Sequence, residues 1–302
     1  TKWIDVIFPP AAMGAIIAVI GLELAPVAAN MAGLTGDKID MVNVTISMFT
    51  LAVGVIGSVA FRGFMSIIPI LFGVVCGYVF AAIMGIVNFQ PVIDAPWFQV
   101  PHFYAPVFDI NAIMIIAPAA LVVLAEHIGH LVVTGNIVDR DLIKDPGLSR
   151  SLFADGLSNV ISGFAGATPN TTYGENIGVM AITKVYSTWV IGGAAVMAII
   201  LSFCGKLSEL IHSIPVPVMG GICILLFGVI AASGIRVLVE RQVDYSKSSN
   251  LVMTSVIMII GLSGAKLSFG AFSVQGMVLA TVVAIIMSLA FKLFEYLHLL
   301  NE

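Results

Sequence analysis

Apolar residues dominate the chain in runs long enough to cross a bilayer. A helix rises about 1.5 Å per residue, so about 20 apolar residues span the hydrocarbon core. Eight such runs predict transmembrane helices, at residues 10–30, 42–61, 64–88, 110–137, 186–204, 215–235, 249–265 and 274–298. Two weaker elements follow residue 150: "SLFADGLSNVISGFAG", short and rich in small residues, and "ENIGVMAITK", half a span long. The eight long runs and these two weaker elements give ten predicted elements.

The distribution of lysine and arginine tests this ten-element topology. With Thr1 cytoplasmic, ten of the thirteen basic residues fall on the cytoplasmic side, and only Lys38, Lys206 and Lys266 fall on the other. Cytoplasmic loops of membrane proteins carry an excess of Lys and Arg. If either weak element failed to cross, the basic loops would scatter over both sides. The charge pattern therefore favours ten elements, with both ends of the chain cytoplasmic.

The composition agrees with a membrane protein. The 302 residues are 59% hydrophobic and 10% charged, whereas soluble domains are about 25% charged. The net charge of −4 indicates no nucleic-acid partner. Three cysteines, Cys76, Cys204 and Cys223, lie in or beside apolar runs without metal-ligand spacing and are interpreted as small core residues. We therefore predict an all-α polytopic membrane protein with the lipid bilayer as its surroundings.

Ionisable residues at membrane depth mark candidate functional positions, because a buried charge is costly unless it has a role. In "LAEHIGH", Glu126 and His130 are four residues apart and share one helix face, whereas His127 points elsewhere. Zinc proteases need His-Glu-x-x-His, and here the order and the histidine spacing are wrong, so we expect no metal site. A structural buried pair is the simpler alternative. Glu23 lies near the end of the first span and is a weaker candidate.

The stretch "TPNTTYGENIG", residues 168–178, is polar and helix-breaking in an apolar chain. Pro169 lacks an N–H group, and Thr and Tyr favour extended backbone. We predict a short β-strand at 168–173 and a half-helix from Glu175 to Thr183. Irregular backbone at membrane depth must be enclosed by protein or line a cavity. Transporters build substrate sites from such broken helices in pairs, and these 302 residues contain no second segment of this kind.

The residues from Glu175 to Lys184, "ENIGVMAITK", resemble the signature of the nucleobase–ascorbate transporter family (nucleobase:cation symporter 2). The signature reads Gln, Glu or Pro, then Asn-x-Gly, four free positions, Thr and a basic or small residue. Together with "AEHIGH", the context "TPNTTYGENIG" is similar to the branch of the family that carries uracil. The resemblance extends over essentially the whole chain.

The resemblance implies a fold of fourteen transmembrane segments in two inverted repeats of seven. Ten elements here would be the last ten, as in a copy that lacks the first four segments, which would carry the partner strand. Residues 1–90 and 212–302 would form a gate domain that also makes a homodimer. Residues 105–205 would form the core domain with the substrate site.

The resemblance also implies a role for each candidate residue. Glu126 and Glu175 would bind uracil, Tyr173 and Gly174 would border its ring, and His130 with Glu126 would couple a proton. The implied protein is a uracil:proton symporter of the bacterial inner membrane. It would not be an enzyme, and it would use no cofactor besides the coupling proton.

Four alternatives stay open at this point. The carrier could take xanthine, urate or another base, and a truncated chain could be a non-functional fragment. An anion carrier of the same fold class would need a basic residue near residue 174, where the sequence has Glu175. An intramembrane hydrolase would need a catalytic triad, and none is evident.

Overall fold

The computed structural model describes residues 6–36, 39–117, 119–269 and 272–299. The first seven helices are α1 (Pro10–Glu23), α2 (Ala25–Met31), α3 (Met41–Ala60), α4 (Pro69–Ile83), α5 (Gln90–Asp94), α6 (Ile110–Ile116) and α7 (Ala119–Val138). The next five are α8 (Leu148–Ala165), α9 (Gly174–Thr183), α10 (Thr188–Leu201), α11 (Gly205–His212) and α12 (Val216–Glu240). Then come α13 (Ser248–Leu262), strands β1 (Lys266–Phe269) and β2 (Phe272–Gln275), and α14 (Gly276–Tyr296).

Each of the ten predicted elements contains a helix, which confirms the all-helical polytopic class. Among the described residues, five helical spans are long and apolar enough to cross a membrane. A sixth is present if α10 and α11, which meet at a bend of 90°, count as one span. The first predicted span is interrupted after Glu23, where Pro26 in the first turn of α2 starts a new helix.

Two compact units divide the chain. The first consists of Thr1–Glu23, Tyr104–Ile177 and Gly228–Glu302, and the second of Leu24–Phe103 and Gly178–Phe227. This division into two units does not test which residues act in transport. The gate domain at 1–90 and 212–302 and the core domain at 105–205 therefore stay predictions.

Helix α1 lies in the centre of the first unit and is buried on almost every face. A helix that is apolar all round can be accommodated only inside a bundle or in lipid. Its neighbours α7, α13 and α14 contribute most of the other buried residues of one hydrophobic core. Small residues bring the helices close: Gly129 of α7 faces Ile17, and Gly261 of α13 faces Val19. Close approach of this kind drives helix association in lipid. It holds α7, which carries Glu126 and His130, firmly in place.

The second unit is built on the pair α3 and α4, with Ile46, Ala81 and Val218 buried between helices. Gly77 packs directly on the Thr50 side chain. Lys206 anchors the long segment after α4. Its ammonium group donates to the Val92 and Ile93 carbonyl oxygens at 3.1 and 2.9 Å, at the C-terminal end of α5.

The predicted strand at 168–173 is not formed. These residues are non-helical, as expected, but they make no β-ladder. The physical reason is the absence of a neighbouring strand among the described residues, since an extended segment becomes a strand only through a partner. The described part of the chain has its one hairpin elsewhere, where β1 pairs antiparallel with β2. That hairpin was not predicted.

Glu23, a weak functional candidate in the sequence, has a structural contact. Its carboxylate accepts a hydrogen bond of 2.7 Å from the Met277 N–H group at the start of α14. The first N–H groups of a helix lack partners within the helix, and the macrodipole favours negative charge there. Glu23 therefore caps α14 and ties it to the end of α1.

We predict that Glu23→Ala lowers the free energy of unfolding by about 1 kcal/mol, the usual cost of losing an N-terminal cap. The measurement is the midpoint of thermal unfolding of the purified protein in detergent, followed by circular dichroism. Glu295→Ala is the control, because it removes only the exposed ion pair with Lys292 and should leave the midpoint unchanged. Equal midpoints for Glu23→Ala and the unsubstituted chain would contradict the capping role.

Candidate functional site

Helix α7 presents the first pair of predicted site residues. Glu126 and His130 are one turn apart, so they lie on the same face, and both are half-buried. A helix of 20 residues with a buried opposite face restricts both side chains to one side of the bundle.

The structure brings His130 against the polar segment that precedes α9. The His130 Nδ1 atom is hydrogen-bonded to the Thr172 hydroxyl at 2.8 Å. A β-carbon added to Gly174 would lie 3.0 Å from His130 Nε2, closer than ordinary van der Waals contact. Gly174 therefore lets the start of the half-helix approach the imidazole. His130 and Gly174, predicted separately from two motifs, meet at one place.

The other two predicted site residues lie beside this contact. Tyr173 is 65% exposed. Glu175 is in the first turn of α9, which extends from Gly174 to Thr183, and its side chain falls outside the described part of the structure. The half-helix predicted from Glu175 to Thr183 is confirmed, with its start one residue earlier. Its first turn offers N–H groups without partners in the helix.

His127 faces away from this site, as its position on α7 predicts. It is only 3% exposed, and its Nε2 atom is hydrogen-bonded to the Ser151 hydroxyl of α8 at 2.7 Å. Its Nδ1 atom is buried and has no hydrogen-bond partner among the described residues. The contact links α7 to α8 within the first unit.

Helix α8 supplies residues that sequence reasoning missed. Asn159 bonds both backbone groups of Asn170: its Nδ2 donates to the carbonyl oxygen at 2.9 Å, and its Oδ1 accepts from the N–H at 2.8 Å. Ser158 and Ser162 bond the Asn170 side chain at 2.9 and 3.0 Å. The sequence signal for this contact is the spacing of Ser158, Asn159 and Ser162, which at i, i+1 and i+4 lie on the same side of α8.

A cavity of about 580 Å³ opens beside the carboxyl-terminal half of α7. Its lining includes Leu131, Asn136, Asp141 and Lys144, but not Glu126 or His130. The Lys144 ammonium group hydrogen-bonds Asp141, which lowers the pKa of that carboxyl group and raises the pKa of Lys144. Both side chains are exposed, so solvent screens the pair. This cavity is separate from the predicted site residues.

The arrangement can bind a small polar molecule by hydrogen bonds. It offers a carboxylate and an imidazole on α7, a hydroxyl from Thr172 and the N–H groups that begin α9. No group of three or more His, Cys, Asp and Glu residues with the geometry of a metal site occurs among the described residues.

Comparisons with known proteins show which family the chain resembles and which of its members are similar to it. The model of the Permease family matches residues 1–270. The chain is 64% identical to the uracil permease of Escherichia coli (strain K12), over 99% of this chain and 70% of that protein. It is 60% identical to the uracil permease of Paenibacillus larvae, over 100% of this chain and 73% of that protein. It is 46% identical to the uracil permease of Bacillus subtilis (strain 168), over 96% of this chain and 69% of that protein.

We predict that Gly174→Ala disturbs the contact between His130 and Thr172, because the new methyl group would push against the imidazole. The measurement is the ¹⁵N resonance pair of His130 in histidine-labelled protein, assigned by its loss in His130→Ala. Gly178→Ala is a matched control on the same helix, since a β-carbon there meets no atom within 4 Å. Unchanged His130 resonances in Gly174→Ala would disprove the close approach.

Proposed function

The chain belongs to the permease family of nucleobase–ascorbate transporters, and we propose from this premise that it carries uracil across a bacterial membrane. The observation that carries the proposal is the extent of the similarity. Relatives named uracil permeases match 99–100% of the chain at 60–64% identity. The family match at residues 1–270 includes Glu126, His130 and the segment before α9.

The chemistry of uracil suits the residues at this place. Uracil is flat and neutral, with two ring N–H donors and two carbonyl acceptors. In this proposal Glu126 and Glu175 accept from the ring nitrogens, and hydrogen bonds to a charged acceptor are stronger than neutral ones. The N–H groups at the start of α9 donate to a carbonyl oxygen of uracil. Tyr173 and Gly174 border the ring.

We propose that a proton is the coupling ion and that His130 and Glu126 carry it. Neighbours at i and i+4 on one helix face can interact, so their protonation would be linked. His130 also contacts Thr172, so a change in its protonation reaches the segment that would hold uracil. Protonation and uracil binding would then favour each other, as linkage requires.

The proposed transport cycle is alternating access in the inner membrane. Residues 105–205 would act as the core and residues 1–90 and 212–302 as the gate, which would also form a homodimer. Both ends of the chain would be cytoplasmic, as the distribution of Lys and Arg favours. The chain spans about 70% of the length of the relatives that it matches, so its own transport activity is the first quantity to measure.

Xanthine or urate is the neighbouring alternative substrate. Uptake of radiolabelled uracil into proteoliposomes is measured with excess unlabelled uracil, xanthine or urate. Displacement by uracil alone fits the proposal, because a base with different donors leaves a buried carboxylate unpaired. Displacement by xanthine and not by uracil would replace the proposal with the alternative.

We predict that Glu126→Gln and Glu175→Gln each weaken uracil binding about 10- to 100-fold, the effect of losing a hydrogen bond to a charged group. Equilibrium binding of radiolabelled uracil to the purified protein measures the effect. Glu209→Gln is the control, because Glu209 pairs with His212 on α11 and has no proposed role. Unchanged affinity in both variants would remove these carboxylates from the site.

We predict that His130→Ala keeps measurable uracil binding but loses the pH dependence of uptake. The imidazole is replaced by a group that cannot titrate, whereas the carboxylates that accept from uracil remain. Initial uptake rates are compared between about pH 5 and pH 8, across the ordinary pKa of histidine. His212→Ala serves as the control, since His212 is exposed at the end of α11. A His130→Ala profile with the slope of the unsubstituted protein would refute the coupling role.

A further inference from the structure

Asn159 makes an unusual set of contacts for a side chain on a membrane helix. Its carboxamide bonds both the N–H and the carbonyl oxygen of Asn170, at 2.8 and 2.9 Å. Its Nδ2 also donates to the Asp155 carbonyl oxygen at 3.0 Å, one turn earlier on α8. Both N–H groups of the carboxamide donate and its oxygen accepts, so these bonds define one orientation of the amide.

This pair of bonds reproduces what a β-ladder would supply. In an antiparallel ladder, one residue exchanges an N–H and a carbonyl bond with the residue opposite. The Asn159 side chain presents the same donor and acceptor to Asn170. Segment 168–173 has no strand partner among the described residues, so Asn159 satisfies the backbone at the middle of a segment that would otherwise expose it.

A second contact holds the same segment two residues further on. Thr172 is hydrogen-bonded to His130 on α7. The segment is thus held at two points, at the Asn170 backbone by α8 and at the Thr172 side chain by α7. Helices α7 and α8 are themselves joined by His127 and Ser151. These hydrogen bonds join α7, α8 and segment 168–173 to one another, directly before the start of α9.

We propose that Asn159 is a positioning residue for the substrate segment. Its carboxamide holds the middle of residues 168–173 against α8 and thereby sets Thr172 against His130 and Gly174 beside the imidazole. Asn159 itself does not touch the substrate. This inference rests on the proposed function, because the segment matters for transport only if uracil binds at the start of α9.

The test compares Asn159→Leu, Asn159→Asp and Asn170→Ala. Asn159→Leu removes both bonds to the Asn170 backbone at similar volume. Asn159→Asp keeps the acceptor for the Asn170 N–H and loses the donor. Asn170→Ala is the matched control, because it removes the side-chain bonds to Ser158 and Ser162 and keeps both backbone bonds from Asn159.

Two measurements are made on each full-chain variant. Hydrogen–deuterium exchange reports the amide protection of the peptide that contains Asn170, without any substrate. Equilibrium binding of radiolabelled uracil reports the site. We expect at least tenfold faster exchange and about tenfold weaker binding for Asn159→Leu, an intermediate effect for Asn159→Asp, and near-normal values for Asn170→Ala. The partial rescue by Asp is not expected of a residue that only fills space.

Unchanged exchange in Asn159→Leu, with elution and thermal midpoint like those of the unsubstituted protein, would overturn the proposal. Faster exchange with unchanged uracil affinity would overturn it as well, because the segment would then be loosened without effect on the site. If Asn159→Leu does not fold, the comparison of Asn159→Asp with Asn170→Ala decides. Absence of uracil binding in the unsubstituted protein would defeat the proposed function, while exchange would still decide whether Asn159 holds the segment.

Discussion

The need to satisfy every backbone polar group away from water determines how this site is built. Helices meet that need internally, but residues 168–173 cannot. The structure provides a partner for the backbone of one residue in the segment, because Asn159 of α8 bonds both the N–H and the carbonyl oxygen of Asn170. His130 of α7 holds the same segment through the Thr172 side chain. The same irregularity leaves the first N–H groups of α9 available to a ligand. In the proposed function, this segment, which would be a defect in a continuous helix, is where uracil is recognised.

Packing behind the site decides whether its geometry is precise. Helix α7 carries Glu126 and His130 on one face and the buried residues Ala125 and Ile128 elsewhere on its surface. Gly129 brings it against Ile17 of the central helix α1. Well-packed interiors allow little movement of a side chain or helix. Helix α7 is thus held by the core, and its His130 imidazole is hydrogen-bonded to Thr172. In the proposed function, a change in the protonation of His130 would therefore act on the segment rather than be absorbed by helix motion.

Several differences between expectation and structure have one physical origin. The strand at 168–173 did not form because strand formation needs a partner, and α8 supplied side-chain bonds in its place. Glu23, a possible functional carboxylate by its position in the sequence, caps α14, a helix that begins 253 residues later in the chain. Each outcome depends on which distant residue is nearby, and local patterns carry no such information.

The sequence alone determined the membrane class, the ten helical elements, the family and the candidate residues Glu126, His130, Tyr173, Gly174 and Glu175. Apolar run length, the scarcity of charge at membrane depth and a short signature carry this information without reference to neighbours. Only the tertiary structure decided what these residues touch. His130 and Thr172 are 42 positions apart, and Asn159 and Asn170 are 11 apart. Whether such pairs meet depends on how α7 and α8 are rotated and packed, and that rotation is set only when the helices assemble.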